Sequence, residues 1–103
     1  MNTSMKLRKE SKQWYDMTEA ELTPIDSRAS FYGKALLLKG KHGTYLRSYT
    51  TMVCAVSNDG EVIRLWHGYS ATTMRHINSF MKYNGLPFVG KTWWDSLPVA
   101  EVE

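Results

Sequence analysis

The chain has 103 residues, 43% apolar and 22% charged, a composition typical of one soluble globular domain. No apolar run approaches the roughly 18–20 residues that span a bilayer, and no apolar stretch follows the charged N-terminus, so we expect neither a membrane helix nor a secretory signal. The single cysteine, Cys54, excludes an internal disulfide and disfavours a cysteine-based zinc site, which predicts a reducing, cytoplasmic location.

Charge is unevenly distributed along the chain, whose net charge is +3. Residues 28–91 hold nine basic residues and only Asp59 and Glu61 as acids, whereas residues 13–27 hold four acids and no base. A basic surface attracts anionic partners such as nucleic acid. Mildly basic domains without such a partner are also common, so the charge alone leaves the partner open.

The N-terminal quarter gives the weakest structural signals. Residues 1–12 are polar, without hydrophobic periodicity, and we interpret them as a flexible basic arm before a single α+β domain at 13–99 and an acidic tail at 100–103. Trp14 to Met17 favour a short strand around 13–17, followed by a loop or a single helical turn before Pro24.

The middle of the chain predicts an antiparallel β-meander. Its segments have the length and composition of strands, and two of the stretches between them carry glycine. The predicted strands are 34–39, 44–48, 50–56 and 61–66, with turns at 40–43 and 57–60. Because every connection is too short for a crossover helix, the strands must be antiparallel.

After residue 66 the apolar period becomes helical. Met74, Ile77, Phe80 and Met81 form one stripe, with Ser70 as N-cap and Gly85 as the terminating residue. Residues 91–98 predict one further helical turn anchored by tryptophan. The fold class is therefore α+β: an antiparallel sheet of three to five strands, one main C-terminal helix packed on one face, and a short final helix.

The strand-to-helix corner, RLWHGYSATTMRHINSF at 64–80, allows two interpretations. A helix N-terminus presents free N–H groups to an anion, and Arg64, His67, Ser70, Thr72 and Arg75 would add donors around it. Ser70 would equally well cap its own helix. The corner contains no phosphate-loop or dinucleotide spacing, and we favour the helix start.

A second candidate surface lies on one predicted strand. Tyr45, Arg47 and Tyr49 alternate onto one face, where they would serve as a stacking platform for single-stranded nucleic acid or as a protein-binding surface. Lys82 is a further basic residue to test. The pattern does not choose between the two uses.

Catalytic patterns are weak. The histidines have no metal-ligand spacing, carboxylates are scarce in the basic middle, and Cys54 resembles a buried inert thiol. We therefore expect no catalytic residue, no metal, no cofactor and no enzymatic activity. A small hydrolase or nuclease, the less favoured alternative, would depend on His67, His76 or Asp95.

Three segments together, DSRASFYGKA (26–35), RLWHGYSATTMRHINSF (64–80) and WWDSLPV (93–99), resemble a family of small proteins carried by phages, plasmids and integrative elements of Firmicutes. The resemblance implies an accessory protein of a mobile element, without transferable site residues. The leading hypothesis is a non-enzymatic binder that inhibits or modulates host machinery in the bacterial cytoplasm. Its expected partner is a host protein or nucleoprotein, with an anti-CRISPR role as the concrete form. The alternative is a direct DNA- or RNA-binding module, and the protein would be a monomer or homodimer.

Overall fold

The computed structural model describes residues 2–22, 34–68, 70–87, 90–97 and 99. Its centre is one five-stranded antiparallel sheet in the order β1-β2-β3-β4-β5. The strands are β1 (Thr18–Glu21), β2 (Ala35–Lys39), β3 (Gly43–Ser48), β4 (Thr51–Ser57) and β5 (Val62–Arg64), and the helices are α1 (Thr3–Ser11), α2 (Ala71–Tyr83) and α3 (Lys91–Ser96). The predicted α+β class and the meander are confirmed.

The turn between β4 and β5 shows how local chemistry sets the strand order. Gly60 adopts φ 88°, a backbone conformation that favours glycine, and its N–H donates to the carbonyl of Ser57 at 2.9 Å. This turn places Val56 opposite Val62 in the antiparallel register. Each strand lies beside its sequence neighbour. Within each strand, successive side chains point to opposite faces of the sheet.

Helix α2 covers one face, as its apolar stripe predicts. The Ser70 side chain accepts from the Thr73 N–H at 3.0 Å and caps the first turn, and Gly85 (φ 72°) follows the last one. The predicted stripe and Trp94 of α3 are buried against the sheet. The buried residues of this cluster are Leu22, Ala35, Leu37, Leu46, Val53, Cys54, Val56, Met74, Ile77, Phe80, Met81 and Trp94.

The N-terminal segment differs from its prediction as a flexible arm. Residues Thr3–Ser11 form helix α1, whose N-cap, Asn2, accepts from the Met5 N–H at 2.8 Å. Leu7 is fully buried on the sheet face opposite α2. A single strongly apolar side chain gives little periodicity, which is why the sequence pattern did not indicate a helix.

That second face carries its own small apolar cluster. Its buried residues are Leu7, Leu38, Tyr45, Ala55, Ile63 and Leu65, with Trp14, Met17 and Met52 packed against them. The sheet therefore has helices on both faces, whereas the sequence predicted one main helix packed on one face.

The strand expected around 13–17 is also displaced. Trp14–Asp16 is a single 3-10 turn, and strand β1 begins at Thr18. Every residue of β1 is exposed, and its sequence, TEAE, holds helix formers and no buried apolar residue. Pairing with β2, which sets Glu19 opposite Leu38, holds this segment extended. The loop or helical turn expected between that strand and Pro24 is wrong where the structure describes it, because Thr18–Glu21 is strand β1. Residues 23–24 and the acidic tail at 100–103 lie outside the described residues.

Among the described residues, every helix falls short of the length and apolar character that a membrane crossing requires.

Candidate functional site

The strand platform predicted from Tyr45, Arg47 and Tyr49 is not an open surface. Tyr45 and Arg47 do share a face, but that face lies under the N-terminal segment: Tyr45 is fully buried, and the Arg47 guanidinium lies 4.2 Å from the centre of the Trp14 ring. Tyr49 follows the end of β3 at φ 56° and is half exposed. The prediction of Tyr45 as an accessible stacking residue is therefore wrong.

Arg64 is an internal brace. Its side chain is 6% exposed, and its donors reach the carbonyls of Trp66 (2.8 Å), Trp94 (2.8 Å) and His67 (2.7 Å). The guanidinium also lies 4.5 Å from the centre of the Trp94 ring. Because these donors are directed at backbone oxygens inside the fold, the prediction of Arg64 as a phosphate contact is wrong.

The rest of the strand-to-helix corner is divided between capping and exposed residues. The Ser70 hydroxyl accepts from the Thr73 N–H and donates to Thr73 Oγ1 at 2.8 Å, so it is engaged in the cap. His67 and Thr72 are exposed, and Arg75 is half-buried. With Arg64 turned inward, the corner has the geometry of a helix start. Lys82 is exposed in the last turn of α2, away from this corner along the helix.

Two of the three groups named for the hydrolase alternative, His76 and Asp95, make other contacts, and the third, His67, is exposed. His76 is almost fully buried, and its Nδ1 lies 2.8 Å from Ser48 Oγ, which joins α2 to β3. Burial first, and then the charges of Arg75 and Lys34, lower the pKa of His76. Asp95 forms an exposed ion pair with Lys91 on α3. The described residues contain no group of three or more His, Cys, Asp or Glu placed to hold a metal ion.

A concave basic surface lies between α1 and the β2–β3 turn. Lys6 and Lys9, neighbours on one side of α1, face Lys41 and His42 of the turn across a cavity of about 320 Å³. Glu10 and Gln13 complete the lining of this space. We call it the basic cavity, since three lysines accompany one carboxylate.

A second cavity of about 270 Å³ adjoins the first. It shares Glu10, Gln13 and Lys41 with the basic cavity and continues toward the 3-10 turn and β1. Its remaining lining residues are Asp16, Met17, Thr18, Lys39 and Gly40. We call it the mixed cavity, since its lysines are matched by carboxylates.

Glu10 fixes the geometry of both cavities. Its carboxylate accepts from the backbone N–H groups of Lys41 (2.6 Å) and His42 (3.0 Å) and from the Tyr45 hydroxyl (2.5 Å). A side chain at Gly40 would displace the Glu10 carboxylate from these donors, because a Cβ there would lie 2.6 Å from the Glu10 carboxyl carbon. The carboxylate thus joins α1 to the hairpin, and its oxygens already accept three hydrogen bonds from donors within the protein.

The same contact perturbs Tyr45. Burial, followed by the hydrogen bond and the charge of Glu10, raises the pKa of the Tyr45 hydroxyl far above its usual range. Tyr45 therefore remains a neutral donor to the carboxylate at any physiological pH. Its function in the structure is to hold the hairpin against α1.

The sequence did not point to this site, although part of the signal was present. Lys6, Lys9 and Glu10 have the spacing of one helix face, but only if residues 1–12 are helical. Lys41 and His42 were recognised only as turn residues. Bringing the two groups together requires knowing that α1 packs on the β2–β3 hairpin.

Comparison with known proteins identifies the family. No curated protein and no solved structure matches the chain. Residues 20–96 match a family described as a family of unknown function (DUF8033), a range that contains β2 to β5, α2 and α3 and begins after α1. This result confirms the expectation of a family without an established activity. Because the match covers well over half of the sequence, the chain belongs to this family of unknown function.

Proposed function

We propose that the protein acts by binding, and that the basic cavity contacts the phosphate backbone of a nucleic acid, free or within a nucleoprotein. The observation that carries the proposal is the convergence of Lys6, Lys9 and Lys41, from two separate elements, on one cavity of about 320 Å³. Ammonium groups gathered in this way repel one another, and a bound anion relieves that repulsion. Lysine is a common point-charge ligand for phosphate.

The resemblance to accessory proteins of mobile elements gives this proposal its concrete form. An accessory protein that inhibits a host-defence nucleoprotein in the bacterial cytoplasm, such as a CRISPR effector, would use the cavity on the effector's nucleic acid. The second candidate is a module that binds free DNA or RNA directly. It is favoured by the same lysines, because a phosphate contact does not require a protein component.

The first test measures binding of labelled single-stranded DNA, duplex DNA and single-stranded RNA across a salt series. Each phosphate neutralised in the basic cavity predicts that log K falls with log salt by about 0.7 for a single strand. The double variant Lys6→Gln/Lys9→Gln should weaken binding at low salt and remove most of that slope.

Lys82→Gln is the matched control, since it removes an exposed lysine from α2 on the other side of the sheet. It should leave the slope nearly unchanged. Equal losses from Lys82→Gln and Lys9→Gln would show that binding depends on net charge and not on the cavity. If the wild-type protein binds none of the three ligands at low salt, the direct module is refuted. Inhibition of a CRISPR effector nuclease, again compared between these variants, then tests the nucleoprotein form.

A further inference from the structure

The two adjoining cavities differ in charge. The basic cavity has three lysines against one carboxylate, whereas the mixed cavity has Lys39 and Lys41 against Glu10 and Asp16. We propose that the mixed cavity receives an unpaired base, so that the two cavities together accept one nucleotide of a single strand with its phosphate in the basic cavity. This inference rests on the proposed function and specifies its ligand.

The mixed cavity suits a neutral group that donates hydrogen bonds. Asp16 is exposed in the 3-10 turn. The Lys39 ammonium lies 5.8 Å from the centre of the Tyr83 ring, so this charge already has a cation–π partner. The acceptors of Glu10 are occupied by the hairpin, which leaves Asp16 as the carboxylate for a ligand. Carboxylates accept from the exocyclic amino group of cytosine.

Other lining groups supply the remaining features of a base site. Gln13 offers both a donor and an acceptor, and its side chain makes no capping hydrogen bond to the turn that follows it. Thr18 adds a hydroxyl, and the half-buried Met17 adds apolar surface. Polar edges combined with an apolar contact are what a flat heterocycle requires.

The sizes and connection of the cavities agree with one nucleotide. Ligand pockets for whole small molecules span about 300–1,000 Å³, so the two adjoining cavities, at about 320 and 270 Å³, together have room for a ligand of nucleotide size. Glu10, Gln13 and Lys41 line both, so the two parts of a ligand can be directly joined. A base in a duplex has its Watson–Crick edge paired, so this arrangement selects single strands.

The test compares oligonucleotides of equal length: oligo-dC, oligo-dT and an abasic strand with the same number of phosphates. We expect oligo-dC to bind the wild-type protein about tenfold more tightly than the abasic strand, the ratio that one well-recognised base provides. Oligo-dT, which lacks the exocyclic amino group, should fall close to the abasic strand.

Two variants separate the base site from the phosphate site. Asp16→Ala should remove the preference for oligo-dC and leave the salt slope unchanged, whereas Lys6→Gln/Lys9→Gln should weaken all three strands and keep the preference. Asp95→Ala, which removes an exposed carboxylate of α3 on the other side of the sheet, is the matched control and should change neither.

The outcomes separate the two proposals. If the abasic strand or a dC·dG duplex binds as tightly as oligo-dC, with a slope that depends on Lys6 and Lys9, the base site is wrong and the phosphate site stands. If no strand binds, both proposals fail. If the dC preference survives Asp16→Ala in a protein whose circular dichroism is unchanged, base recognition lies elsewhere and this inference is overturned.

Discussion

Replacing Arg64 by alanine tests whether this residue is a structural brace or a ligand contact. The change removes three hydrogen bonds of 2.7–2.8 Å to the carbonyls of Trp66, Trp94 and His67, and the stacking on Trp94. Hydrogen bonds to charged groups each contribute about 1.5–3 kcal/mol net, but truncation also removes the cost of burying the charge, so we expect a loss of about 3–5 kcal/mol. A loss of that size is a large part of the stability of a small domain, about 5–15 kcal/mol.

Urea denaturation followed by tryptophan fluorescence measures the loss. Because Arg64→Ala risks unfolding the protein, Arg64→Lys, which keeps the charge and the stem but not the forked donors, should show an intermediate loss. Lys82→Ala, an exposed residue, should change the free energy of unfolding by less than about 0.5 kcal/mol. A loss below about 1 kcal/mol for Arg64→Ala, together with weaker nucleic-acid binding, would refute the brace and restore the phosphate contact.

Three further predictions concern other buried or linked groups. Burial lowers the pKa of His76, so the unfolded chain gains the proton first as pH falls below about 6.5. The free energy of unfolding should then fall by up to about 1.4 kcal/mol for each pH unit. The slope should be smaller in His76→Gln, and an equal slope in both proteins would contradict this prediction. Burial raises the pKa of Cys54 well above its usual range, so a thiol reagent should label the native protein only as fast as it opens; rapid labelling would show an accessible thiol. Glu10→Ala leaves three hairpin donors without their carboxylate and should cost about 2–4 kcal/mol in urea denaturation; a loss no greater than that of Glu61→Ala would show that the contact is dispensable.

The elements that the sequence predicted correctly are those defined by their own residues. The glycine at position 60, the serine cap at position 70 and the helical stripe through Ile77 and Phe80 each act within a few residues of the chain. Because the connections between the predicted strands are too short for a crossover, neighbouring strands must be antiparallel, which gives the meander. At these positions the local preference of the sequence agrees with the global fold, and for that reason these elements could be predicted without the structure.

The elements that were missed depend on partners distant in sequence. Strand β1 has the composition of a helical turn and is held extended by β2. Helix α1 buries Leu7, while Glu10, three residues on, binds a hairpin more than thirty residues away. No window of the sequence contains both sides of these contacts, so propensity alone gave the wrong state.

The candidate site shows the same limit in its side chains. Alternation along β3 correctly placed Tyr45 and Arg47 on one face, but which face is covered depends on α1, and the face proved to be an interior one. Arg64 has the residue type of a phosphate ligand, and burial made it a donor to carbonyls. Residue type suggests chemistry, while tertiary packing decides which groups are available for it.

Because the basic cavity lies between α1 and the β2–β3 turn, ligand binding is linked to the docking of α1. A nine-residue helix is marginal by itself, and α1 fully buries only two of its residues, Leu7 and Ser11. Polar contacts therefore contribute to its attachment: Glu10 binds the hairpin, and Arg8 Nη1 donates to the Leu65 carbonyl at 3.1 Å. A phosphate between the lysines of α1 and Lys41 would contact both sides, and a ligand that binds only the docked form stabilises it by mass action. The matched family range supplies the hairpin but begins after α1. The proposed specificity therefore depends on residues outside that range, and what this chain binds need not be common to its family.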